Sequence, residues 1–353
     1  MANLPDDLRH ALDSALDGVP VQKLAPSVQR LIDAYRMPGP PATPILRSGS
    51  DVVAYAAYRM PATYAAVRKA LGYLAEAAPA FRPTTQLDLG AGTGAAVWAA
   101  AATWPSLTTV TAVDQEPEMV TLGRRLAIDA AFLAVRSAHW NTARIGTSTV
   151  PEADLITISY ALGELPAGQR ISLAERLAEH GGTIVFIEPG TPAGYGNVIS
   201  VRDQLIAGGY LVIAPCPHSE QCPIPRDRDW CHFSARVNRS SLHRRVKNAV
   251  LGYEDEKFSY VALTRVAVGA PVPSRVLRHP QQGKGLVKLR LCTADGIASA
   301  IVSKRQSELY RAARDLEWGD RWPPPEGRVR RREASEPADP SHDDLPIDAG
   351  SVH

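Results

Sequence analysis

TTQLDLGAGTGAAVWAAAATW, residues 84–104, passes from strand type to turn to helix within a few positions, and its reading decides the fold. Gln86 to Leu89 form a short apolar run, the glycines at 90, 92 and 94 a tight turn, and Ala95 to Ala102 an uninterrupted set of helix formers. Glycines there allow a turn that a Cβ would obstruct, and let backbone lie against a ligand at the carboxyl edge of a parallel sheet. Asp114 closes the next apolar run, TVTAVD. An acid about twenty residues beyond such a loop accepts the hydroxyls of an adenosine ribose. Strand, loop, helix and acid together specify a nucleoside ligand, which a bare glycine pattern would not.

Downstream, short apolar strands alternate with helices. AFLAVR reads as a weak strand, ADLITISY as a strand ending near Ser159, and GGTIVFIEPGTP as a strand through Ile187. GNVISVRDQLIAGG reads as a helix, Leu211 to Ala214 as a sixth strand, and SYVALTRVAV, from Ser259, as a seventh. This is the pattern of an open parallel α/β sheet, expected over 78–267, with 215–257 as an insertion. Residues 1–77 read as a helical region in which Pro61 stands near a helix start. There Tyr55, Tyr58, Arg59 and Tyr64 suit helix packing better than a nucleic-acid face. Residues 273–322 read as a small β/α module, with a hairpin turning at Asp295-Gly296 and a helix in SELYRAARDLEWGD. The tail, 323–353, is rich in proline and charge and is expected to be disordered. Its Arg328, Arg330, Arg331 and Arg332 suit a solvated linker.

Three of the four cysteines lie in CPHSEQCPIPRDRDWCHF, residues 216–233, at the spacing C-x5-C-x8-C; the fourth is Cys292. So few thiols, clustered, point to metal binding rather than a disulfide framework. Four thiolates hold tetrahedral zinc or an iron–sulfur cluster, with His218 and His232 as alternative ligands. A buried group of unliganded cysteines is the bland alternative. Net charge is only +2, yet Arg226 to Arg290 hold 14 Lys and Arg against 5 acids. Such a local field attracts a polyanion, and an ordinary solvated face has the same composition. The amino terminus carries acids and no long apolar run, and no stretch reads as a membrane span, so a soluble cytoplasmic protein without membrane contact is expected.

The glycine segment resembles the first motif of class I S-adenosylmethionine-dependent methyltransferases, an acid followed by G-x-G-x-G, with Asp88 in the acidic position. A dinucleotide loop would separate its last two glycines by two residues rather than one. The resemblance implies that Asp88, Gly90, Gly92, Gly94 and Asp114 bind the cofactor. It places Ser159, Tyr160, Leu162, Gly163 and Glu164 at the cofactor pocket and substrate mouth. No catalytic residue is implied, because SYALGELP has neither Asn-Pro-Pro-aromatic nor Pro-Cys. Asp154 and Glu188 fit structural roles.

A closer resemblance rests on the glycine motif, SYALGELP, FIEPG, CPH followed by C-P and W-C-H-F, and RHP with a late cysteine, in that order over about residues 50–322. These blocks are similar to the methyltransferase-like family of small-ribosomal-subunit assembly proteins, with mitochondrial members and bacterial relatives. The resemblance implies a factor, monomeric when free, that binds small-subunit rRNA and the assembling subunit. It also implies S-adenosylmethionine and a 4Fe-4S cluster on Cys216, Cys222, Cys231 and Cys292, zinc being the alternative metal. Arg239, Arg244, Arg245 and Lys247 are the expected RNA contacts. An active rRNA methyltransferase is the alternative function.

Overall fold

A computed structural model describes residues 4–17, 26, 49–146, 151–179, 182–238, 253–266 and 271–325. Helix α1 (Asp6–Leu16) turns Leu8, Leu12 and Ala15 inward. Helix α2 (Gly49–Ala77) is long, and Pro61 lies inside it rather than near its start. An interior proline removes one helical hydrogen bond. Burial of Met60, Ala62, Leu71 and Leu74 against the sheet layer holds the helix through it.

The strands β1 (Thr85–Leu89), β2 (Thr109–Asp114), β3 (His139–Thr142), β4 (Leu155–Ser159), β5 (Thr183–Pro189), β6 (Leu211–Ala214), β7 (Phe233–Asn238) and β8 (Tyr253–Thr264) form one sheet. Its order is β3-β2-β1-β4-β5-β8-β6, and β7 pairs with β8. Strands β3, β2, β1, β4 and β5 run parallel, whereas β8 is antiparallel to both β5 and β6. The intervening helices are α3 (Ala95–Thr103), α4 (Pro117–Ala127), α5 (Leu133–Arg136), α6 (Ala167–Ala178) and α7 (Pro192–Ala207). Every residue of β4 is buried, as expected of a parallel strand covered on both faces. The strand order reverses between β1 and β4, so their carboxyl ends open a crevice of the kind that takes ligands in open α/β sheets. This is the class I S-adenosylmethionine-methyltransferase-like α/β fold, with added helices at its amino-terminal side and a small β module after it.

Three strand expectations change. AFLAVR contributes the single-turn helix α5, not a strand, with Leu133 outward and Ala134 and Val135 buried. The edge position belongs to β3, whose Trp140 packs where the Cβ of any residue but glycine at 94 or 123 would stand. The seventh strand begins at Tyr253, not Ser259, because residues 253–258 pair with β7 before the strand enters the main sheet. The carboxyl-terminal hairpin turns one residue earlier than expected: Thr293 pairs with Gly296, leaving Ala294 and Asp295 as the loop.

That module comprises β9 (Ser274–Val276), β10 (Gln281–Gly283), β11 (Leu286–Thr293), β12 (Gly296–Ser303) and α8 (Ser307–Arg314). Alternation along β11 buries Val287, Leu289 and Leu291 under α8 and exposes Lys288 and Arg290. Trp318 and Gly319 attach the module to the main domain, where Tyr73 of α2 donates to the Trp318 carbonyl at 3.1 Å.

Candidate functional site

The glycine loop leaves β1 with φ of +74° at Gly90, +54° at Gly92 and +90° at Gly94. A Cβ at Gly90 would stand 2.6 Å from the Cβ of Ala161, and one at Gly94 would stand 2.7 Å from the Trp140 ring. At Gly92 the nearest atom to such a Cβ is Met119 Cε at 4.0 Å. Gly90 and Gly94 are glycines for packing, while Gly92 faces open space. Asp114 is held beside it, accepting from the Gly92 N–H at 2.8 Å and the Glu116 N–H at 2.9 Å. Each carboxylate oxygen keeps acceptor capacity after those bonds, as a ribose requires.

Asp88 is fully buried beneath the loop. It accepts from Thr157 Oγ1 at 2.7 Å, and Thr157 in turn accepts from Gln86 Nε2 at 2.9 Å. Glu188, also buried, accepts from the Leu162 N–H at 3.0 Å and from Asn197 at 3.2 Å, fixing the segment after β4. Asp154 accepts from the Thr84 N–H and hydroxyl and from the Thr85 N–H, and so ties strand ends at the opposite edge. Burial alone would raise the Asp154 carboxyl; those bonds outweigh it and hold it low.

Burial pushes Asp88, Glu164 and Glu188 each up to about 7, and raises Asp114 as well. In the unfolded chain such carboxyls titrate near pH 4. Between about pH 4 and 7 the folded state therefore binds more protons than the unfolded state, and these groups subtract stability as pH rises through that window. Asp88→Asn cannot ionise, so its thermal midpoint is expected to fall less than that of the native chain between about pH 5 and 7.5. Circular dichroism melts at matched ionic strength measure this, and parallel curves would remove Asp88 from the account.

Ser159 is buried at the end of β4, and Tyr160 follows with φ +57°, a left-handed conformation uncommon outside glycine. The Tyr160 hydroxyl donates to Glu256 Oε1 at 2.9 Å, and Arg59 of α2 pairs with the same carboxylate at 3.0 Å while lying 5.2 Å above the Tyr160 ring. Burial opposes the Arg59 charge, and Glu256 more than offsets it. The β7–β8 extension thus carries a carboxylate across the strand ends to the mouth of the crevice. Arg59 and Tyr160 serve this cluster, and Tyr64 is buried, in keeping with helix packing.

The four cysteines come together although separate segments supply them. Cys216, Cys222 and Cys231, together with Cys292 from β11, line one cavity walled by Tyr195, Phe233 and Tyr260. Tyr195 Oη lies 3.2 Å from Cys222 Sγ, and His218 Nε2 lies 3.7 Å from Cys292 Sγ. Burial raises the thiols of Cys216, Cys231 and Cys292, the last to about 12, and the neighbouring thiols add to the rise in each. His232 points elsewhere, stacking on Trp230 and meeting Trp318 edge-on. Among the described residues no three His, Cys, Asp or Glu side chains form a group that could hold a metal ion.

The basic field is largely answered where it is described. Arg226 pairs with Asp203, Arg228 with Asp227, Arg236 with Asp255, and both Arg278 and Arg290 with Asp229. Sequence counting missed this because Asp203 lies outside the stretch and one aspartate serves two arginines. The expected RNA contacts Arg239, Arg244, Arg245 and Lys247 lie outside the described residues. No helix among the described residues is long and apolar enough to cross a membrane.

A protein-family profile described as mitochondrial small ribosomal subunit Rsm22 matches residues 49–323. The human protein named "Ribosome assembly protein METTL17, mitochondrial" is 29% identical over 295 residues, covering 76% of this chain and 62% of its own length. "Rsm22-cox11 tandem protein 2, mitochondrial" of Schizosaccharomyces pombe is 24% identical over 338 residues, covering 79% of this chain and 44% of its own. This chain therefore spans 44% to 62% of the length of these curated relatives. A solved structure of human N-acetylserotonin methyltransferase in complex with SAM aligns over 68% of this chain and 66% of that one, at 16% identity and TM-score 0.39. The relatives correct one expectation, that of a cytoplasmic protein: the curated relatives carry mitochondrial names.

Proposed function

The chain belongs to the family described as mitochondrial small ribosomal subunit Rsm22, and from that premise we propose that it serves small-subunit assembly by binding ribosomal RNA. In this reading it holds S-adenosylmethionine at the glycine loop and a 4Fe-4S cluster at the cysteines. The observation that supports the reading is that one chain presents both the open space before Gly92 beside a fixed Asp114 and a single cavity lined by all four cysteines.

At the first site Gly92 gives backbone access in a loop whose shape Gly90 and Gly94 allow, Asp114 takes the ribose hydroxyls, and Ser159 and Tyr160 border the mouth. Asp88 stands buried beneath the loop, bonded to Thr157. Beyond burial, the Asp114 carboxylate raises both Glu116 and Glu164, and that concentration of carboxyls favours a cationic ligand. S-adenosylmethionine, a sulfonium cation, supplies an activated methyl group. At the second site a cluster on Cys216, Cys222, Cys231 and Cys292 would cross-link the insertion to the module beginning near residue 273. RNA is docked by the basic insertion, through Arg239, Arg244, Arg245 and Lys247, together with the exposed Lys288 face of β11.

A second reading is methyl transfer to the RNA. One observation favours it: Glu256, hydrogen-bonded to Tyr160, puts a proton acceptor at the strand end where the family resemblance places the substrate. Incubation of the holo-protein with immature small subunits and methyl-labelled S-adenosylmethionine separates the two. The assembly reading expects RNA binding that weakens steeply with salt, with no label transferred. Transfer that Glu256→Gln abolishes would establish the enzyme. In cells, RNA crosslinked to the chain should be enriched in small-subunit precursor and lost on charge reversal at the four basic positions. Equal crosslinking of both proteins would reject docking through that face.

A further inference from the structure

The cavity that gathers the cysteines also contains two buried arginines, Arg202 from α7 and Arg275 from β9, each side chain about 1% exposed. A guanidinium out of water is unfavourable unless its N–H groups are bonded and its charge is balanced. Neither condition is complete here. Arg202 donates to Asp203 Oδ1 at 2.9 Å and to the Glu220 carbonyl at 2.5 Å, leaving Nε without a partner. Arg275 donates from Nε to the Pro215 carbonyl at 3.1 Å and from Nη1 to the Gly319 carbonyl at 2.8 Å, leaving Nη2 without one.

The carboxylates nearby do not close the balance. Asp203 is half-exposed and shared with Arg226, and Glu76 stands 3.9 Å from Arg275. One further polar atom beside the thiols is equally unpartnered, the Tyr260 hydroxyl lining the same cavity. Neutral thiols are weak acceptors and would leave these groups unsatisfied. Four thiolates around a metal core would not, because they bring net negative charge and strong acceptors to the same place.

We propose that Arg202 and Arg275 are the counter-charges of an anionic metal–thiolate centre on the four cysteines, with the Tyr260 hydroxyl as an additional donor. The inference rests on the cluster reading above and goes beyond it, since it assigns positioning roles to three residues that are not ligands. A 4Fe-4S core of charge +2 on four thiolates carries net charge −2, which two guanidiniums match. Arg275 has a second task. Its bonds to Pro215 and Gly319 fasten the loop before Cys216 to the segment after α8, so the same side chain that balances the centre closes the cavity around it.

The test is anaerobic reconstitution of the full chain with iron and sulfide, comparing wild type, Arg202→Met, Arg202→Lys and Tyr260→Phe. Readouts are iron and sulfide per chain, the rate of iron loss to a chelator, and the midpoint potential read spectroscopically during reductive titration with dithionite. Arg202→Met keeps the packing volume and removes the charge. It is expected to lose iron about ten-fold faster and to show a more negative potential, since an added electron then meets less positive charge. Arg202→Lys should recover most of both. Tyr260→Phe deletes only an unpartnered oxygen, and keeps the test decisive where Arg202→Met fails to fold; a smaller change in the same direction is expected. Iron-loaded wild type with unchanged loss rate and potential in the folded variants overturns the assignment alone. Wild type that takes up no iron overturns the cluster reading and the assignment with it.

Discussion

If the proposed cluster is present, Cys222→Ser is expected to lose its iron and, with it, the attachment of the carboxyl-terminal module. The four cysteines come from the segment after β6, the approach to β7, and the end of β11, and among them they join the insertion to a sheet about sixty residues further along the chain. A centre bound by all four acts as a cross-link across that separation, and metal binding is then inseparable from folding. Serine in place of Cys222 also removes the sulfur that Tyr195 meets at 3.2 Å. The loss of stability should be on the order of 2–5 kcal/mol, the range found when a native covalent cross-link is removed. Iron analysis should fall from about four per chain to a small fraction of that. Limited proteolysis should cut first between the main domain and β9. The same pattern is expected on chelation of the native protein. Stoichiometric zinc with no iron in anaerobically purified wild type would replace the cluster with a single-ion site and leave the cross-link argument standing.

The parts of this arrangement that were legible in the sequence are those whose causes are local. The strand, turn and helix around Asp88 to Gly94 follow from residue types in immediate succession, and Asp114 lies only 22 residues from the Gly92 amide it accepts from. The four cysteines were visible because the residue is rare in this chain, and Cys292 joined the other three as the one cysteine left over. The remaining site residues depend on contacts that no local pattern encodes. Arg59 and Glu256 are 197 positions apart, and Arg275 reaches the carbonyl of Pro215 over a separation of 60. Arginine in a chain of ordinary charge gives no sign of which copy will be buried. AFLAVR was misread for a related reason: three apolar residues out of four satisfy either a strand or one helical turn, and the choice was made by Trp140, which took the edge of the sheet. In the basic stretch a count along the chain could not see Asp203 folded back onto Arg226; the four positions expected to meet RNA lie outside the described residues.

At the glycine loop, Gly92→Val is expected to abolish S-adenosylmethionine binding while the protein stays folded. Two effects add there. A β-branched residue at φ +54° costs about 1–2 kcal/mol, and its side chain enters space where nothing else stands within 4.0 Å. Backbone strain alone does not block a ligand, so a control must carry the strain without the obstruction. Gly209 provides it: φ is +88°, no atom lies within 4 Å of its Cβ position, and it precedes β6 at the edge of the sheet opposite the crevice. Gly209→Val should lose comparable stability and bind the cofactor as wild type does. Asp114→Asn addresses the other half of the site. The amide oxygen can still accept from Gly92, but the charge is gone and its NH2 group faces donors, so the ribose loses charge-assisted bonds worth about 1.5–3 kcal/mol. That corresponds to a Kd weaker by roughly ten- to a hundred-fold. Calorimetric titration of the three variants reads all of these values. Native affinity in both Gly92→Val and Asp114→Asn would mean that the crevice between β1 and β4 is not where this chain takes the cofactor. Loss of affinity in Gly209→Val to the same degree would reduce the Gly92 effect to general destabilisation.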